Sequence, residues 1–563
     1  MQTLIIYSIM ALLFYLSYKL FFKILECLPK LNSKIIDSNS KDILDSKVDF
    51  KSNLDSKTKA DFALDSKSKI DSTLKLDSKV VSKTSLTQRT LELKDIIFLI
   101  SSALLILGIC AFTFYLGFPG FLIDGDIFKA LDLNKQNFAP VITAYVLEIL
   151  YFIFGKHTYY LFLINLITFY VGIYFLIAGF YLRFRSYFAL FLMFPLFIGN
   201  IYFSHFVSMN YVAMANMIFC AGSLVLFCIL VHPKTRLLKL LYIFVAILLF
   251  LAILWRHNAI FSVFPLCFIL IYLLLEDRGL SKKAFIKLYA KGIVICVFVC
   301  LFVVIVIPKI LTTNSLSSPS HHIFLHQIVG TCIKNDDSSC IKNEWYNIEH
   351  NWENAKRIYL ENPFFADPMN GIFSSGEING LFLSWLKVIT KYPLNYLEYQ
   401  SGFFRYMWFE SPFKDYRDKH KHSYTYSLIL SPKEIQAKVE ESNINTLNKF
   451  PINEYSISFS KAREKIYTFL YENRIIFGNI VGVSMSFILM IVSLILICFR
   501  KYRNNLLLFS FSFSFAAFFS AIFIAGFSPV IYPRYMSPIL PLALMSLIGF
   551  IAFVCDRLSR KEV

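Results

Sequence analysis

The sequence predicts an all-α polytopic membrane protein: a bundle of about 11 transmembrane helices, one further helix in the outer interface, and a large extracytoplasmic loop domain. Three observations predict this. Hydrophobic residues make up 56% of the 563 and charged residues only 17%, against roughly 45–50% and about 25% in soluble domains. The apolar residues gather in runs of roughly 20, the length that crosses a ~30 Å hydrocarbon core. Basic residues recur in every second connector, the asymmetry that marks cytoplasmic loops.

Residues 1–23, MQTLIIYSIMALLFYLSYKLFFK, hold one apolar helix. No basic segment precedes it and no small-residue cleavage site follows, so an anchor is expected rather than a removed signal peptide. Residues 24–94 change character. LDSK recurs at 44, 54, 64 and 76, with Lys, Asp and Ser dominant and too few apolar residues for a core. This predicts a disordered cytoplasmic tether; a charged amphipathic helix is the competing reading.

Residues 95–311 form the N-terminal transmembrane core, with spans at about 96–118, 158–181, 187–206, 208–231, 237–254, 258–275 and 291–311. Residues 312–476 form the large outer loop. The C-terminal region, 477–555, adds spans at 477–499, 506–526 and 537–555, and 556–563 is a cytoplasmic tail. With this count RFRS (183–186), HPKTR (232–236), DRGLSKK (277–283), RKYR (500–503) and DRLSRK (556–561) all fall on the tether's face. That face is expected to be cytoplasmic. Residues 140–155, PVITAYVLEILYFIFG, are too short to span comfortably, and crossing would break the alternation. They suit a helix in the outer interface, closing an outer loop at 119–157.

The net charge of +18 is accounted for by cytoplasmic loops, and no aromatic–basic pattern points to nucleic acid. Eight of the 11 cysteines lie in apolar spans and read as packing residues, with Cys27 at the edge of the first. Cys332 and Cys340 lie in the outer loop and form a disulfide or remain two thiols according to the compartment. The 60 Phe and 32 Tyr read as span filler and assign no cofactor pocket.

Chemistry is sought on the outer face. GFPGFLIDGDIFKALD, residues 117–132, places Asp124 and Asp126 around Gly125 at a membrane exit. Such a pair can supply a general base for a hydroxyl acceptor or bind a divalent cation. The plainer reading is a helix N-cap. LWRHNAI puts Arg256, His257 and Asn258 between two apolar helices. Arg suits bidentate phosphate recognition, or it snorkels. YPRYMSP adds Arg534 and Tyr535, as a second phosphate contact or as interface belt residues. His321, His322 and His326 form HHxxxH without a carboxylate at a helical offset, so zinc is unsupported. No Walker loop, GxSxG or HExxH occurs.

Taken in order, these fragments resemble the GT-C class of integral-membrane glycosyltransferases, in a divergent bacterial branch. The matching residues are Pro119-Gly120, Asp124 or Asp126, Pro140 with Phe154-Gly155, and Arg256-His257-Asn258-Ala259. They continue with Trp385, Pro393, Tyr396 and Leu397, then Arg534-Tyr535 and Pro538; the resemblance runs from about 96 to 555. Spacing to the following helix leans to Asp126 as the family's loop acid. The chain departs at Ala139-Pro140, where the family often has His-Pro, and at Met209-Asn210, where a later span often begins Lys-Asp. A second acid of that kind is therefore missing, and an inactive member is one reading.

The resemblance implies a membrane glycosyltransferase of the bacterial inner membrane. Its donor would be a polyprenyl-phosphate-linked sugar and its acceptor an extracytoplasmic glycan, lipid or protein. A loop Asp would serve as base or metal ligand, and Arg256, His257, Asn258, Arg534 and Tyr535 would hold the donor phosphate. The alternatives are a transporter or flippase, which needs polar groups through mid-membrane, an O-antigen polymerase or ligase, and a non-enzymatic scaffold. Sugar identity, metal dependence and oligomeric state are not legible in the sequence.

Overall fold

A computed structural model describes residues 92–117, 141–155, 160–192, 209–232, 236–276, 280–311, 321–364, 366–373, 378–409, 479–527 and 533–559. The anchor, nearly all of the tether, residues 118–140 with Asp124 and Asp126, and residues 410–476 lie outside the described residues. The described chain is helical, with one isolated antiparallel bridge between Tyr346 and Phe373. The first half contains α1 (Leu93–Gly117), α2 (Val141–Phe154), α3 (Tyr160–Phe184), α4 (Met209–Val231), α5 (Arg236–Trp255), α6 (Ile260–Glu276) and α7 (Lys282–Leu301). A π-helical turn, Phe302–Val306, continues α7 into α8 (Ile307–Leu311). Then come α9 (His321–Cys332), α10 (Trp352–Glu361), α11 (Leu381–Lys391) and α12 (Pro393–Phe409), followed by α13 (Asn479–Cys498), α14 (Asn505–Phe527) and α15 (Ile539–Ser559).

Nine segments among the described residues are long and apolar enough to cross a membrane: α1, α3 to α7, and α13 to α15. Each overlaps an expected span, although the α7 segment, Lys282–Val306, starts well before the expected 291. Of the other two, 1–23 lies outside the described residues. The expected span 187–206 needs correction at its start, where Tyr187–Leu192 wind as a 3-10 helix. The cause is local. Arg185 adopts φ 55°, which ends α3, and the Ser186 hydroxyl accepts from the Phe188 amide at 3.2 Å. The rest, 193–208, lies outside the described residues. The helices on either side run parallel, because Gly172 faces Phe219 and Cys220 while Gly179 faces Phe227 and Leu230.

One end of the bundle gathers the basic connectors. Asp95, fully buried at the start of α1, pairs with Arg185 beyond the end of α3 and accepts from the Tyr181 hydroxyl at 3.0 Å. Arg183 pairs with Asp556 of α15, and Asn505 of α14 donates to Glu276 of α6 at 2.6 Å. The opposite end, called the loop end here, receives Gly117, α2, the α5–α6 junction, the end of α8, α9 to α12 and the start of α15.

The spans are not apolar throughout. Thr113 and Tyr170 hydroxyls meet at 2.6 Å, Ser262 and Ser520 at 2.8 Å, and Ser510 and Ser546 at 3.1 Å. The Asn216 amide bonds the Asn165 side chain and carbonyl. Without water in the bilayer core, such groups must satisfy each other, and they tie helices together. The cysteines also diverge from a uniform packing role: Cys110, Cys220, Cys228 and Cys300 are buried, Cys498 is exposed, and Cys267, Cys296 and Cys555 are half-buried.

At 14 residues, α2 is about 21 Å long, too short for a ~30 Å core. It buries Val141, Ala144, Leu147 and Tyr151 while exposing Ile149, Phe152 and Ile153. Tyr145 donates to the Leu311 carbonyl at 3.1 Å, fastening α2 to α8. The helices α9 to α11 build a second core of their own around Ile328, Val329, Trp345, Met369 and Leu381, while α12 packs on α13 and α14.

Candidate functional site

The α5–α6 junction carries the most unusual chemistry at the loop end. Helix α5 stops because Arg256 adopts an extended backbone, φ −152°, ψ 124°. Its N–H still bonds the Ala252 carbonyl at 3.0 Å and its carbonyl accepts from Ala259 at 2.9 Å. The chain thereby turns within one 3-10 step, His257–Ala259, before α6 begins. Arg256 is half-buried and His257 exposed. Both amide atoms of Asn258 are sealed from solvent with no hydrogen-bond partner among the described residues, and so is the indole nitrogen of the buried Trp255. Thr143 of α2, at the same end, has an unpartnered hydroxyl among the described residues as well. A buried polar atom left unpaired costs about 1–3 kcal/mol, and native proteins keep few without a use.

Other sequence-predicted residues divide clearly. Tyr535 lies half-buried in the 3-10 turn Pro533–Met536, which also contains Arg534. This turn packs on α14, the helix against which α6 also packs. The α5–α6 junction and the 533–536 turn therefore flank one helix at one end of the bundle. Asp124 and Asp126 lie outside the described residues, but the chain leaves α1 and re-enters at α2 on that same end.

Helices α9 and α12 meet the bundle through a polar joint that sequence reading missed. Gln327 of α9 and Gln400 of α12 both donate to the Gly526 carbonyl of α14, each at 3.2 Å. The Gln327 side-chain oxygen accepts from the Trp385 indole at 2.7 Å and the Tyr396 hydroxyl at 3.4 Å. Trp385 and Tyr396 thus act as supports of the joint. A second contact runs from the Asn479 amide of α13 to the Met407 carbonyl at 2.9 Å. Glutamines at helical spacing carry little signal alone; only the contact identifies them.

His326 is structural in bearing. A carbonyl can only accept, so His326 Nε2–H donates to the Asn362 carbonyl at 3.2 Å, and Nδ1 must accept from the Tyr399 hydroxyl at 2.8 Å. Neither nitrogen of His326 is left for a metal, and burial pushes its pKa down to about 4. Cys332 and Cys340 are joined as a disulfide. It closes a loop whose acids, Asp336 and Asp337, are engaged within the domain. Asp336 accepts from the Trp352 indole at 3.0 Å and pairs with Lys356 at 2.8 Å. Asp337 pairs with Lys391 at 2.7 Å and accepts from Tyr392 at 2.8 Å. Lys391, Ser339 and Tyr392 hold its carboxyl well below the usual range.

No protein-family model matches the chain, and no curated protein or solved structure matches it either.

Proposed function

We propose that the protein is a membrane glycosyltransferase that moves a sugar from a polyprenyl-phosphate carrier to an acceptor at the loop end of the bundle. The observation that carries this reading is the unsatisfied polar set at the α5–α6 junction. Asn258 and Trp255 offer buried donors beside a guanidinium at a membrane edge. That is the chemistry a lipid phosphate needs: charge-assisted hydrogen bonds in a place where water does not compete. The donor's lipid tail would lie in the bilayer and its phosphate at the loop end. A loop carboxylate, Asp124 or Asp126, would take the proton of the acceptor hydroxyl as its oxygen attacks the anomeric carbon. The carbon–oxygen bond to phosphate breaks, and the phosphate leaves carrying the bonding electron pair, held by Arg256 and Arg534. In this reading the loop end faces the extracytoplasmic side of a bacterial inner membrane, and a divalent cation at the acids is a variant of the same scheme.

A transporter or flippase is less well supported. Its strongest ground would be the polar pairs inside the bundle, but these side chains bond one another across helix seams and act as ties.

The test uses full-length protein in liposomes with a polyprenyl-phosphate-linked hexose and a membrane-extract acceptor. Free polyprenyl phosphate is expected to appear with the wild type and to be lost in Asp124→Asn, Asp126→Asn or the double variant. Full activity in all three would remove the loop acids from the mechanism. Movement of the lipid-linked sugar across the bilayer without phosphate release would replace the transferase with a flippase.

A further inference from the structure

A cluster of three thiols lies between α6 and α7, apart from the loop-end site. Cys267 of α6 faces Cys296 and Cys300 of α7, and the three sulfurs lie within 4.8 Å of one another. The arrangement follows from helix geometry. Residues 296 and 300 are four apart, so they share a face of α7. The helices α6 and α7 are antiparallel and approach closely where a Cβ on Gly292 would come within 2.8 Å of Ile271. One turn farther along both helices brings Cys296 to Cys267, and the next turn adds Cys300. Two local irregularities bracket the cluster. Pro265 lies inside α6, two residues before Cys267, where it removes one backbone hydrogen bond. The π turn Phe302–Val306 begins two residues after Cys300, a form of helix often found at functional positions.

We propose that Cys267, Cys296 and Cys300 form a soft-metal site for one monovalent copper ion. The donor set selects the metal class. Thiolates favour Cu(I) and Zn(II) over the hard cations that carboxylates hold. Among the described residues, no His, Asp or Glu joins the three sulfurs, and structural zinc takes four protein ligands. A metal about 2.3 Å from each sulfur would hold the sulfurs about 4 Å apart in a plane, so the observed spread needs only a small contraction. Ionised groups at membrane depth are costly; with one sulfur bound as thiolate and two as neutral thiols, a monovalent ion leaves the site uncharged. Each sulfur that binds as thiolate releases its proton to water, and no electron moves. Cys267 lies seven residues from the start of α6, about 10 Å from the loop end. Cys300 is buried, while Cys267 and Cys296 are half-buried, so the cluster opens along the seam between the two helices. This inference does not depend on the transferase reading.

The test is an anaerobic titration of full-length, detergent-purified protein with Cu(I) against a Cu(I)-specific chelator, with X-ray absorption of the retained metal. The wild type is expected to hold one Cu(I) per chain with three sulfur neighbours. Affinity should fall at least tenfold in Cys267→Ser and in Cys300→Ser and stay unchanged in Cys498→Ser. The sulfur count on wild-type protein answers the question even if a variant fails to fold. Failure of the wild type to hold Cu(I), a shell with fewer than three sulfurs, or unchanged binding after all three are replaced by Ser would overturn the proposal. So would a disulfide between two of the three in protein that binds no copper after reduction.

Discussion

At the level of single residues, Asn258 separates a structural from a functional role most cleanly. A polar side chain retained for stability would lose stability on replacement. One held unpaired for a ligand would not, because an apolar group of similar shape removes an unmet desolvation cost. Asn258→Leu is expected to melt no lower than the wild type, while sugar transfer falls about 10–100-fold, the worth of a hydrogen bond to a charged group. Lower stability with unchanged transfer would make Asn258 a packing residue. His326 gives a second expectation. Its folded pKa of about 4 lies below the usual ~6.5. Between those values the unfolded chain binds a proton that the folded one does not. Stability is therefore full above about 6.5 and falls as pH drops toward about 4, above the range in which most carboxylates titrate. Thermal melts across that window should show the fall, and His326→Gln should flatten it; an identical slope in the variant would assign the fall to other groups. Residue identity was legible in the sequence at Arg256, His257 and Asn258, whose polarity between two apolar runs is conspicuous. It was not legible at Gln327 or Gln400, because their meaning lies in a carbonyl more than a hundred residues away.

At the level of helices, apolar length and basic connectors were sufficient to find nine spans. They did not foresee the 3-10 form of Tyr187–Leu192, which a left-handed Arg185 and a serine cap start inside an apolar run. Hydropathy averages over about 19 residues and does not see a single φ angle. It also does not see seams. A Cβ on Gly482 of α13 would lie 3.1 Å from the Cα of Leu540 on α15, a backbone atom that cannot rotate away. Gly108 of α1 has nothing within 4 Å of the same position. Gly482→Ala is therefore expected to destabilise by about 1–3 kcal/mol through overpacking. Gly108→Ala should be neutral or stabilise by up to about 1 kcal/mol through helix propensity. Melting temperatures in one detergent compare the two directly, and equal effects would mean that the α13–α15 seam gives way. The thiol cluster teaches the same lesson: three cysteines in two separate apolar runs read as packing until the helices are placed side by side.

At the level of the whole molecule, the account rests on sidedness. The basic connectors meet at one end through the Asp95–Arg185 and Arg183–Asp556 pairs. The α5–α6 junction, the 533–536 turn, helices α9 to α12 and both flanks of the acidic segment stand at the other. The sequence makes this division readable because charge placement in short loops is governed by the membrane itself. It does not reveal how closely the loop-end groups approach, since that depends on helix packing and on the path of the loops. The most direct measurement is photo-crosslinking of the full-length protein in liposomes with a polyprenyl phosphate bearing a photoreactive group beside the phosphate, followed by peptide mapping. Adducts are predicted in 118–140, at 255–258 and at 528–536, displaced by excess unlabelled polyprenyl phosphate. Adducts confined to the basic end, or scattered along the bundle and not displaced, would contradict the account.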